Sequence, residues 1–201
     1  MKTGFLILAA GAAKRMQQPK MLLPFGEETI LSHIIGEVKA AGAHTICLVT
    51  GYYHEEIIRS IDIENILVTY NENWEEGMAG SIRKGLSSLI EKYPGMRSVM
   101  IMVSDQPYLH HELLQNMMEQ QQRSGKGIVA ASYSGIQGTP VLFERKYFEQ
   151  LQELKSDNGA KPILQQYSTD VITVDFPSGN MDIDTLEDYE KFCAKIKQQN
   201  A

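Results

Sequence analysis

The stretch FLILAAGAAKRMQQPK, residues 5–20, decides the fold. Phe5–Ala10 is a continuous apolar run of strand length, and the small residues Ala9, Ala10, Gly11, Ala12 and Ala13 follow without a break. A run that does not alternate suits a strand covered on both faces. A lysine near the start and an apolar run also fit a secretory leader. The run is short, however, and Lys14 and Arg15 follow it at once, so a first strand and its loop is the expected reading. Six further runs of the same kind lie at 45–50, 66–70, 99–103, 128–133, 140–143 and 171–174. Between them come amphipathic stretches. Ile30, Leu31, Ile34, Ile35 and Val38 recur at helical spacing before Gly42. Residues 81–92 and 109–123 are helical as well, and Leu186, Tyr189, Phe192, Cys193 and Ile196 form one stripe with Thr185 and Asp188 as its cap. Strand and helix in alternation predict an α/β chain: a three-layer α/β/α sandwich around a mostly parallel, mixed sheet.

At roughly 150 residues per domain, 201 residues predict a single domain over 1–201. The net charge of −6 argues against non-specific binding to a nucleic-acid backbone, which requires a basic face. No apolar run reaches the roughly 18 residues of a membrane span, which leaves the cytoplasm as the expected location. Cys47 and Cys193 are too distant in sequence for zinc spacing, and Cys47 within ICLV reads as a small buried hydrophobe.

Five segments could carry chemistry. Small residues after the first strand let backbone amides approach an anion, and Arg15 and Lys20 add fixed positive charge suited to phosphate. The carboxyl end of that strand is where ligands bind in a doubly wound sheet. Neither GK[ST] nor the later glycines of GxGxxG follow, so this is neither a P-loop nor a dinucleotide fingerprint. Ser104-Asp105-Gln106-Pro107 follows the run VMIMV, which would hold the Asp105 carboxylate at the same crevice; a turn before Pro107 is the plainer alternative. Asp182 and Asp184 are two apart and share one side of an extended chain. In 71–85, Gly77 and Gly80 precede Ser81, which is placed to cap a helix. Gly135-Ile136-Gln137-Gly138-Thr139-Pro140 reads as a glycine-rich turn before a strand, with a plain hairpin connection as the alternative. Adjacent His110 and His111 suit a surface or a cap better than one metal. The lone Trp74 fits either packing or a pocket wall.

Taken together, LAAGAAKRMQQPKMLLPFG, NENWEEGMAGSIRKGL, VSDQP, GIQGTPVLF and MDIDTLEDY resemble the MobA-like nucleotidyltransferases in order and spacing, and are most similar to the molybdenum cofactor cytidylyltransferase branch. The resemblance implies a Rossmann-like nucleotidyltransferase fold. It implies transfer of CMP from CTP to a phosphorylated acceptor, molybdopterin, with Mg²⁺ as cofactor, pyrophosphate as product and a molybdenum enzyme as partner. Guanylyl transfer, transfer to a sugar phosphate or methylerythritol phosphate, and a non-catalytic nucleotide-binding accessory role are the alternatives. By motif, the nucleotide falls to Leu8, Ala9, Ala10, Gly11, Lys20, Thr50, Gly80, Ser81 and Asp105. Arg15, Lys20 and Asp105 take the catalytic roles, and the metal falls to Asp105 with Asp182 or Asp184. The acceptor falls to Gly135, Gly138, Thr139 and Pro140. LAAG, where guanylyltransferases usually show LAGG, favours CTP over GTP. Gln17 stands where the family has glycine, and Thr139 where it has histidine.

Overall fold

The computed structural model describes residues 2–13, 16, 18–155, 159–181, 183 and 185–199, with the side chains of Leu186 and 195–199 outside the description. The elements in chain order are β1 (Thr3–Ala9), β2 (Pro24–Phe25), β3 (Glu28–Thr29), α1 (Ile30–Ala40), β4 (Ile46–Thr50), α2 (His54–Ser60), β5 (Ile66–Tyr70), α3 (Met78–Lys92), β6 (Ser98–Val103), α4 (His111–Ser124), β7 (Ile128–Tyr133), β8 (Ile136–Glu144), α5 (Phe148–Gln152), α6 (Lys161–Gln166), β9 (Val171–Asp175) and α7 (Leu186–Gln199). Seven strands form one sheet in the order β5-β4-β1-β6-β8-β7-β9. β8 alone runs antiparallel to its neighbours. The expected sandwich is therefore present, with all seven apolar runs in its sheet.

The unalternated runs have a simple cause. Along β1, Phe5, Ile7 and Ala9 enter one core with α1 and α4, while Leu6 and Leu8 enter the other with α3, α5 and α6. Alternate residues face opposite sides of a strand, so a strand covered twice must be apolar throughout. The expected stripe of α1 is buried in full, and Thr29 caps it by accepting from the Ser32 amide at 3.1 Å. Cys47 is buried as read, and burial pushes its thiol up to about 11. In α7, Phe192 is buried, and Tyr189 and Cys193 pack on the same core. Leu186 and Ile196 of that stripe fall outside the described side chains. Its cap is the expected one: the Thr185 amide donates to Asp188 at 2.9 Å, and the Asp188 amide to Thr185 Oγ1 at 3.2 Å.

Helix starts differ from the expectation. α3 begins at Met78 with Gly77 (φ 88°) ahead of it, so Ser81 lies one turn inside and does not cap. α4 begins at His111, and the His110 ring caps it by accepting from the Leu113 amide at 3.3 Å. The segment 135–140 is also not one loop. Ser134 and Gly135, both at positive φ, make a two-residue turn, and β8 starts at Ile136. Such left-handed pairs match the twist of a hairpin. The ladder passes from Ala130–Val141 to Ala131–Gly138, so Thr139 and Pro140 bulge out of it. Among the described residues, no helix is long and apolar enough to cross a membrane.

Candidate active site

The parallel strands β1 and β6 end side by side, and α3 starts over the same edge. A cleft of about 390 Å³ opens there. Its floor is Leu8, Ala9, Ala10 and Gly11 from the end of β1. One wall is Val103, Ser104 and Asp105 at the end of β6; the opposite one is Trp74, Gly77, Met78 and Ser81. Lys20 reaches in from the β1 loop and pairs with Asp105 at 2.5 Å, with both side chains about four-fifths buried. A cation and a carboxylate thus meet beside a turn of small residues. A Cβ on Gly11 would meet nothing within 4 Å, so the space beside the turn is open.

The start of α3 reaches the cleft because the helix lies almost on the sheet. A Cβ on Gly85 would collide with Leu6 and Val49. Asn71, buried just past β5, then fixes Ser81: its Nδ2 donates to Ser81 Oγ at 3.1 Å, while its own amide donates to Thr50 O at 2.8 Å. Gly51 performs a similar service for Trp74. A Cβ there would fall 2.5 Å from Ala10 O and 2.7 Å from Trp74 Cβ. Trp74 also packs edge-on against Tyr52, at 5.1 Å between centroids.

Of the expected nucleotide residues, Leu8, Ala9, Ala10, Gly11, Lys20, Ser81 and Asp105 share the cleft. Thr50 and Gly80 do not line it. The Thr50 hydroxyl is buried and bonded to His54 at 2.7 Å, and Gly80 faces Glu76 and Arg83. The acceptor segment does not line the cleft either. Its Thr139 donates to Gln106 Oε1 at 3.3 Å, one residue from Asp105. Arg15, Asp182 and Asp184 lie outside the described residues. Asn71, Gly51 and Met78 belong to the site's frame without having stood out in the sequence. Asn71 and Met78 lie in the polar-glycine stretch NENWEEGM, which by itself also describes a plain turn, and Gly51 has no signal beyond following the run TICLVT.

A family model described as the MobA-like NTP transferase domain matches residues 5–171. The chain belongs to this family. Its fold is that of a nucleotidyltransferase. The MobA-like chain is 26% identical over 163 residues to the bifunctional protein GlmU of Francisella tularensis subsp. novicida, covering 80% of this chain and 34% of GlmU. It thus spans about a third of the length of the curated relatives it matches. Among solved structures, the Rv0371c homolog from Mycobacterium sp. strain JC1 is 21% identical and superposes with a TM-score of 0.85 over 98% of both chains. Rv0371c from Mycobacterium tuberculosis H37Rv, solved in complex with manganese, is 24% identical with a TM-score of 0.77 over 95% of this chain and 97% of that one.

Proposed function

We propose that this MobA-like protein moves CMP from CTP to the phosphate of a molybdopterin-type acceptor. An acceptor phosphate oxygen attacks the α-phosphorus in line, the α–β bridging bond breaks, and pyrophosphate leaves. The observation that carries this reading is the Lys20–Asp105 pair set against the open Gly11 turn in one cleft. A phosphate monoester is already anionic near neutral pH. The reaction therefore needs positioning and charge neutralisation more than a strong base. Turn amides at Ala10 and Gly11 would cradle the triphosphate, and Lys20 with Arg15 would neutralise it. Ser81, aimed by Asn71, would contact the nucleoside.

Asp105 offers a hard carboxylate oxygen at the cleft wall, a donor that fits Mg²⁺; Asp182 or Asp184 is the proposed second carboxylate. When bound, the ion supplies charge neutralisation at the triphosphate. The manganese complex of the Mycobacterium tuberculosis relative supports the use of a divalent cation. Ala10 in LAAG supports CTP over GTP. A cytoplasmic site and delivery to a molybdenum enzyme go with this reading.

The GlmU likeness supports a second acceptor class, sugar phosphates. Pyrophosphate release from each nucleoside triphosphate, against molybdopterin with and without molybdenum, a hexosamine phosphate and methylerythritol phosphate, tests both. Turnover with CTP and molybdopterin supports the proposal, and turnover only with a sugar phosphate replaces it. CTP binding with no release for any acceptor indicates an accessory nucleotide-binding protein. Asp105→Ala should lower turnover by roughly a hundredfold or more while weakening CTP binding far less. Near-normal activity of that variant with Mg²⁺ removes Asp105 from the metal.

A further inference from the structure

Gln106 sits beside Asp105, yet it does not line the cleft. It is 3% exposed, and both ends of its amide are used. Nε2 donates to Gly179 O at 2.8 Å, and Oε1 accepts from Thr139 Oγ1 at 3.3 Å. A buried amide satisfied by two remote segments holds them tightly, because breaking either bond leaves a buried polar atom unpaired.

The surroundings serve the same junction. Thr139 can turn toward Gln106 because the bulge releases it from the β7–β8 ladder. Gly138 and Gly179 flank the Tyr133 ring, and a Cβ on either would collide with it. Glycine at 138 thus makes room for the Tyr133 ring, whatever binds nearby. The Gly179 turn is tied to the end of β7 as well: the Phe176 amide donates to Ser132 O at 2.9 Å and Asn180 Nδ2 to Ser134 Oγ at 2.9 Å. Three stretches of chain thus converge on one side chain. They are the Asp105 loop, the start of β8 and the turn at 177–180.

We infer that Gln106 is a positioning residue: its amide locks Thr139 and Gly179 to the Asp105 loop and so sets the acceptor side of the site against the nucleotide side. This rests on the proposed transfer reaction. Thr139 then acts as part of the lock, and its hydroxyl is committed to Gln106. Misplacing one reacting group by about an ångström can cost roughly a hundredfold in rate. The lock should therefore act on the acceptor and leave nucleotide binding alone.

The test compares Thr139→Val, Thr139→Ser and Gln106→Glu with the wild-type chain. CTP affinity is read from Trp74 emission, transfer from pyrophosphate released with molybdenum-charged molybdopterin, and local order from amide exchange at 138–139 and 179–180. Thr139→Val and Gln106→Glu should lower kcat/KM for the acceptor by roughly ten- to hundredfold and speed exchange at both segments, with CTP affinity within about twofold. Thr139→Ser keeps the hydroxyl and should recover at least about half of what the valine loses. The inference is overturned if Thr139→Val transfers as well as wild type. It is equally overturned if CTP affinity falls in step with transfer, or if serine rescues nothing. A wild-type chain that transfers to no acceptor sinks the functional reading instead; the exchange data then still decide whether Gln106 couples the segments.

Discussion

Gly51→Ala tests whether the wall and floor of the cleft can close on this position only because a methyl is missing. The backbone at Gly51 is not in the left-handed region, so alanine is not strained there by its dihedrals. The cost is contact: the new Cβ would lie 2.5 Å from Ala10 O, 2.7 Å from Trp74 Cβ and 2.9 Å from Ala10 Cβ. Two of these belong to the turn that floors the cleft, and the third carries its wall. The Tyr52 amide, which donates to Ala10 O at 3.2 Å, would be pushed off as well. Overpacking costs about 1–3 kcal/mol, and loss of a hydrogen bond about 1 kcal/mol. Reduced freedom of the unfolded chain returns about 0.4–1 kcal/mol. The net destabilisation is about 2 kcal/mol, or a fall in Tm of about 4–8 °C for a chain of this size. Because the strain is released into the turn, affinity for CTP, the proposed nucleotide, should also fall by roughly tenfold, or about 1.4 kcal/mol. Thermal unfolding and a CTP titration followed by Trp74 emission read both quantities. Gly36→Ala is the control: exposed in α1, with nothing within 4 Å of its Cβ, it should gain about 0.5–1 kcal/mol. A Gly51→Ala protein that melts and binds CTP like wild type would refute the packing argument.

Two further outcomes concern charge. The hydrogen bond that the His111 ring donates to Glu37 raises its pKa above the usual 6.5, against a smaller opposing effect of burial. Its contribution to stability is present in full below pH 6.5 and is lost as pH rises through the folded value. An NMR titration should show His111 ionising above 6.5 and moving down in Glu37→Gln; an unmoved titration would exclude Glu37 as the cause. Burial pushes Asp170 up, but Lys146 at 2.7 Å, the Tyr147 hydroxyl and the Gly127 amide outweigh it and hold the carboxyl at about 2. This depressed group stabilises the fold above pH 3.8, and the contribution fades as pH falls through about 2. Allowing for partial solvent access it is worth about 1 kcal/mol, so denaturant unfolding between pH 5 and 2 should show that loss in wild type and its absence in Asp170→Asn.

The sheet was legible because burial on both faces leaves a mark in the sequence itself: VMIMV and ICLVT can hardly sit anywhere but between two helical layers. α1 was legible because its whole stripe is buried. α2 was not, since Ile57 is its single buried residue and one residue has no period. The start of α3 was misplaced because Ser81 has the chemistry of a cap, while the structure uses Gly77 there and gives Ser81 to Asn71. The stretch 135–140 misled for a related reason. Glycine and proline usually punctuate loops, but here Gly138 admits the Tyr133 ring and Pro140 occupies a bulge. The cleft's floor and its Lys20–Asp105 pair could be read from motif order. Thr50 could not be placed, because which way its hydroxyl turns is decided by His54, outside any motif; nor could Gly80, whose face of α3 is turned to Glu76 and Arg83.

The single reversed strand bears on how such a protein can change. Because β8 alone runs against the others, it begins where β7 ends, and the two are joined at Ser134 and Gly135 on the outer surface. Extra residues grafted at that tip would hang from a stiff ladder, and the bond they would disturb is the one Asn180 gives to Ser134. Evolution or a designer could therefore vary what the chain greets at that corner while the turn of small residues after β1 keeps its shape.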